Sequence, residues 1–218
     1  GCWDYVVLQD ISTGALESNW ARFLDYGKRF TAEVYKAGAK PILYVTWAYE
    51  NRVPKFDSVN NLWLPSMYDT IQRNYYRLAD STNSYVAPVG IVHEAVWKEY
   101  GGIDLWSDGT HPNAAGANIS AGTHFATLFG ETAKGLNIVK YGTSDVPDSA
   151  LVRFIHGKID SVIQCDDVKR YLPQWNRPDV VKTRFIHSSY SMERLNKIKV
   201  SLETVFSDST RDTASNKF

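Results

Sequence analysis

The apolar positions of the chain change period several times along its length. Trp3-Asp4-Tyr5-Val6-Val7-Leu8-Gln9 is a short run rich in β-branched and aromatic residues, the pattern of a strand buried on both faces of a parallel sheet. The turn formers in Asp10-Ile11-Ser12-Thr13-Gly14 end it. From Leu16 to Tyr35 the period becomes helical, with Leu16, Trp20, Phe23, Leu24, Gly27, Phe30, Val34 and Tyr35 at three- and four-residue spacing and Gly38 as the stop. Pro41 opens a second strand, Ile42 to Trp47. Strand, helix and strand in this order predict a βαβ unit with a right-handed crossover.

The polar stretch from Ala48 to Leu64 is long for a loop in a compact domain, and loops of that length are often functional. Met67, Ile71, Tyr75 and Leu78 mark the next helix. Tyr85 to Val89 reads as a third strand with Pro88 at its end or on an edge. Ile91 to Tyr100 is helical up to Gly101-Gly102. Asn113 to Phe129 is a last helix with Pro112 in its first turn. Its stripe of Ala115, Ile119, Gly122, Ala126 and Phe129 suits close packing on a sheet. The alternation up to residue 138 predicts an α/β fold, a three-layer α/β/α sandwich on a parallel sheet. After Lys140 the regularity stops. Residues 139–206 read as a C-terminal extension, in which Leu195 to Phe206 suits a strand or a helix, and 207–218 as a polar tail without order. Arg153-Phe154-Ile155-His156 recurs as Arg184-Phe185-Ile186-His187, too short a repeat to establish a duplicated unit.

At 218 residues the chain suits one domain of about 150 residues and an appendage. Lys and Arg number 24, as do Asp and Glu, which gives no electrostatic reason to expect nucleic acid or an anionic membrane as partner. No apolar run approaches the roughly 20 residues of a membrane span. Cys2 and Cys165 fit neither a disulfide framework nor a metal site, and free thiols are expected. No glycine-rich phosphate loop and no histidine pair at zinc spacing is present, so neither a cofactor nor a metal is expected. Gly1-Cys2-Trp3-Asp4 leads straight into an apolar strand, which reads as a boundary inside a domain. The compartment is not fixed; an extracellular or periplasmic one is compatible with the sequence. The 7 Trp and 13 Tyr are first of all core residues, but Trp47, Tyr49 and Trp63, on or near the long loop, are candidates for stacking on a sugar.

The sharpest local feature is Ser107-Asp108-Gly109-Thr110-His111-Pro112-Asn113. An Asp and a His three residues apart before a helix can share one tight turn. The carboxylate then accepts from one imidazole nitrogen and leaves the other to take a proton from a nucleophile. The alternative is an Asx-turn aspartate beside a surface histidine. The position after three βα units favours the chemical reading, because ligands of open α/β sheets bind beyond the strand ends.

Asp108-Gly109-Thr110-His111-Pro112-Asn113-Ala114-Ala115-Gly116 resembles the last block of the SGNH (GDSL-like) hydrolases, D-x-x-H-P followed by a small-residue helix. Val86-Ala87-Pro88-Val89 with its helix resembles the segment before that block, and Trp3 to Gln9 the strand that leads to their third block. The likeness covers residues 3–138. It implies a flavodoxin-like sandwich, a serine-esterase type of hydrolase, Asp108 and His111 as triad acid and base, and a carbohydrate or lipid acyl ester as substrate. Where the family carries an amide donor for the oxyanion hole, this chain has Gln9, with Ser12 nearby as a substrate-binding candidate. The family's G-D-S-type serine block ends a strand that would lie upstream of Trp3. The strand at Trp3 to Gln9 is therefore expected to need a second neighbour from an upstream segment on a separate chain, a symmetry mate or the C-terminal region near Phe185. Thr183 to Ser191, a strand running into serines, is one candidate and would imply a circular permutation. The rival expectation is a non-catalytic carbohydrate-binding or structural module on the same fold.

Overall fold

The computed structural model describes residues 3–50, 64–101, 103–136 and 149–173, and the backbone of three strands beyond them. Two compact units divide at Pro173 and Gln174. The first unit thus runs past the boundary expected at 138, because the helix α5 (Ser149–Ile163) contributes Leu151, Ile155, Ile159 and Ile163 to the same core.

The first unit is built on a parallel sheet of order β1-β2-β3: β1 (Tyr5–Leu8), β2 (Lys40–Tyr44) and β3 (Tyr85–Ala87). Helix α1 (Trp20–Lys36) joins β1 to β2, and α2 (Leu64–Thr82) lies between β2 and β3. The period-two alternation of a strand sends successive β2 side chains to opposite faces. Leu43 lies with Phe23, Tyr75 and Leu78 of α1 and α2. Tyr44 lies on the other side, its hydroxyl 3.0 Å from Ser120 Oγ and its ring edge-on to His124, both on α4 (Ala114–Phe129). Helix α3 (Val89–Glu99) and α5 complete that second layer with α4. The architecture is the expected α/β/α sandwich.

Several expectations shift in detail. Two short 3-10 turns, Ser12–Ala15 and Glu17–Asn19, precede α1, which begins only at Trp20. Asn74, fully buried on α2, donates to the Ala15 carbonyl at 2.8 Å and fixes this loop after β1. Pro88 follows β3 as the N-cap of α3. Pro112 stands before the cap of α4, not in its first turn, because Asn113 takes the cap position. The α4 stripe meets α5 as well as the sheet: a Cβ on Gly122 would lie 2.6 Å from Ile159 Cδ1. Phe129 is half exposed and outside the stripe.

The two sheet edges differ. On the β3 side, the Val86 N–H donates to Tyr171 O at 2.9 Å, so the segment after the short helix α6 (Asp166–Lys169) covers that edge. On the β1 side the expected second neighbour is not found among the described residues, and Val7 is 40% exposed. Beside this open edge runs an apolar groove of about 580 Å³ lined by Val7, Ile11, Phe23, Tyr26, Phe30 and Leu78.

The second unit is an antiparallel sheet of order β4-β5-β6: β4 (Val180–Tyr190), β5 (Ile198–Phe206) and β6 (Arg211–Lys217). The candidate strand around Phe185 therefore pairs with β5, and part of the tail expected to lack order is β6. The Arg-Phe-Ile-His tetrapeptide is helical at 153–156 and extended at 184–187, so the repeat does not mark a repeated unit. Cys165 is a free, exposed thiol; Cys2 lies outside the described residues. No described helix is long and apolar enough to cross a membrane.

Candidate active site

The segment between α3 and α4 folds back on itself. Asn113 N–H donates to Leu105 O at 3.1 Å and Ser107 N–H to His111 O at 2.8 Å, with an antiparallel bridge between Trp106 and Pro112. Asp108, Gly109, Thr110 and His111 form the tip. Gly109 has φ +83°, a left-handed conformation that a side chain would strain.

Asp108 organises the tip with both carboxylate oxygens. Its Oδ1 accepts from the backbone N–H of His111 at 2.7 Å, and from the N–H and hydroxyl of Thr110 at 2.9 and 2.8 Å. Its Oδ2 lies 2.6 Å from His111 Nδ1. The two readings of this aspartate, turn former and imidazole partner, are thus met by one side chain. The His111 N–H, the His111 ring and the Thr110 donors hold the Asp108 carboxyl well below the usual carboxylate range. An ionised carboxylate only accepts, so the proton in the 2.6 Å contact sits on Nδ1, and in the neutral form of the ring Nε2 carries the free lone pair. The His111 side chain is 77% exposed, which leaves that nitrogen accessible.

The tip is anchored to the segment leaving β2. Trp47 Nε1 donates to Thr110 O at 2.9 Å, Trp106 Nε1 to Ala48 O at 3.0 Å, and the Glu50 N–H to Gly109 O at 2.7 Å. Beneath them His93 is completely buried, its ring stacked 5.7 Å from that of Trp47 and its Nδ1 2.6 Å from the Tyr68 hydroxyl. Burial lowers the His93 pKa to about 3, so the ring is neutral.

Of the other expected site residues, Gln9 is exposed at the C-terminal end of β1 and lines the groove. Tyr49 is half-buried close to Thr13 and Asp108, and burial raises its pKa. Ser12 is buried in its 3-10 turn and Trp47 is only 8% exposed, so neither presents an open face. Trp63 lies outside the described residues. Sequence reasoning missed Trp106, Tyr68 and the role of His93. An apolar pair, Leu105-Trp106, directly before a polar turn was the available signal for the first.

Asn113 caps α4, its Oδ1 accepting from Ala115 and Gly116 N–H at 2.9 and 3.1 Å while its Nδ2 donates to Asp104 O at 2.8 Å. Asn113→Ala is expected to cost about 1 kcal/mol. A lowered urea midpoint with an unchanged slope is the corresponding measurement.

Two solved structures share this fold. A putative SGNH hydrolase from Slackia heliotrinireducens matches with a TM-score of 0.51 and 25% identity, over 58% of this chain and 66% of its own. A DUF4886 family protein from Bacteroides uniformis matches with a TM-score of 0.62 and 17% identity, over 77% of this chain and 64% of its own. The chain therefore spans just under two thirds of either structure. No family model matches the sequence, and no curated protein matches it at a significant level. The fold is that of an SGNH-like hydrolase.

Proposed function

We propose that this chain supplies the acid and base of a serine esterase. The observation that carries the reading is the 2.6 Å contact between an ionised Asp108 and an exposed His111. His111 Nε2 takes the proton of a serine as it attacks an acyl ester. It then returns the proton to the leaving alcohol, while Asp108 holds the tautomer and stabilises the imidazolium. Gln9 is the candidate donor to the oxyanion, Tyr49 a candidate contact for the alcohol side, and an acylated carbohydrate the candidate substrate. The serine comes from outside residues 3–138, on a strand that extends the sheet at the β1 edge.

One observation favours a non-catalytic carbohydrate-binding module instead. Among the described residues, the groups in contact with the His111 ring are Asp108 and Thr110, and Ser107 Oγ donates to the His111 carbonyl. A fluorophosphonate probe separates the two readings when applied to the native, full-length protein, with the labelled residue mapped. Labelling of one serine, lost in His111→Ala, is the expected result. No labelling of any serine would leave the module reading.

A further inference from the structure

The Thr110–His111 peptide unit is gripped at both ends. Its carbonyl accepts from the Trp47 indole at 2.9 Å, and its N–H donates to Asp108 Oδ1 at 2.7 Å. A peptide unit is planar, so fixing the carbonyl fixes the direction of the N–H. That direction sets where the carboxylate sits, and the same carboxylate holds His111 Nδ1. The turn itself is exposed, with side-chain exposures of 52% for Asp108 and 77% for His111. Its orientation must therefore come from a better-buried element.

Trp47 is such an element. It follows β2, is 8% exposed, and its ring lies within 15° of parallel to His93, whose Nδ1 is held by the Tyr68 hydroxyl. Trp106 packs edge-on to the same imidazole at 5.1 Å and returns a hydrogen bond to Ala48, the neighbour of Trp47. The two indoles thus cross between the same two segments over one neutral, buried ring.

We infer that Trp47 is a positioning residue for the Asp108–His111 pair, acting through the Thr110 carbonyl, with His93 and Trp106 as its support. The inference rests on the hydrolase reading only for the purpose of the pair. Trp47 then has no part in stacking on a sugar, and its indole N–H matters more than its ring face.

Trp47→Phe keeps an aromatic ring over His93 and removes the N–H. The readout is the tautomer of His111, measured from ring-carbon proton to ring-nitrogen correlations by NMR. The native protein is expected to hold His111 almost wholly as the Nδ1–H form. In the variant the Nε2–H population should rise roughly fivefold or more, the order expected for losing one hydrogen bond, while unfolding stays cooperative. A folded Trp47→Phe with the native tautomer ratio would overturn the inference. Should Phe not support folding, site-specific replacement of Trp47 by β-(3-benzothienyl)alanine keeps the two-ring shape without the N–H, and the same two outcomes decide. Neither readout needs ester turnover, so failure of the esterase reading leaves this test intact.

Discussion

His111→Ala is expected to lower kcat for short acyl esters by about 10²- to 10⁴-fold, the range that a positioned acid–base group contributes. KM should change far less, because an imidazole working on the proton of a nucleophile acts mainly in the transition state. Asp108→Asn is expected to lower kcat as well, since an amide can donate to Nδ1 and so stabilise the unproductive tautomer. The wild-type carboxyl is held below the usual carboxylate range and is ionised at any pH of an ordinary assay. Loss of activity toward mildly acidic pH is therefore not protonation of Asp108. Steady-state kinetics of both variants, with circular dichroism to confirm folding, provides the check. An unchanged kcat in His111→Ala removes the pair from the mechanism.

Gly90→Ala is expected to destabilise the first unit by about 3 kcal/mol, the upper part of the usual range for overpacking. An added Cβ would stand 2.1 Å from the Thr46 carbonyl oxygen, which is backbone and has little room to move. Val45 on one side of it accepts from Gly90 N–H at 2.8 Å and donates to Ala87 O at 3.1 Å. Trp47 on the other side is tied to Thr110. Relief of the clash would push the start of α3 away from the end of β2, where the segment that anchors the Asp108–His111 turn begins. Gly157→Ala is the control: its added Cβ meets nothing within 4 Å on α5, and alanine is the better helix former by about 1 kcal/mol. Urea denaturation of the two variants should move in opposite directions. Equal midpoints would show that the contact at Thr46 is not tight.

The contact between Asp108 and His111 was legible because it is local. Asp108 and His111 are three residues apart, and the glycine, the threonine and the helix cap between and after them all shape one turn. The strands and helices of the first unit were legible for a related reason: Met67, Ile71 and Tyr75 repeat at helical spacing and are all buried. The anchor was not legible. The contact of Trp47 with Thr110 joins residues 63 apart, and that of Tyr68 with His93 joins residues 25 apart. Nothing in the spacing of an isolated tryptophan tells whether its indole faces a ligand or a carbonyl. The boundary expected at 138 failed for a similar reason. Helix α5 follows residues rich in turn formers, and only its packing against α3 and α4 assigns it to the first unit.

The edge of β1, unpaired among the described residues, also bears on solubility. An unpaired strand with an apolar centre is a template for aggregation. The simplest self-association would set two copies of β1 antiparallel about a twofold axis through Val7. With the pairing continued one residue before β1 and two beyond it, Asp4 of one copy would stand opposite Asp10 of the other at both ends, since each lies three positions from Val7. Like charges placed opposite one another disfavour such a pair. A strand arriving parallel to β1 meets its own residues against these aspartates and escapes the penalty. Carboxylates so placed would discourage symmetric pairing of the edge while leaving it open to a parallel partner.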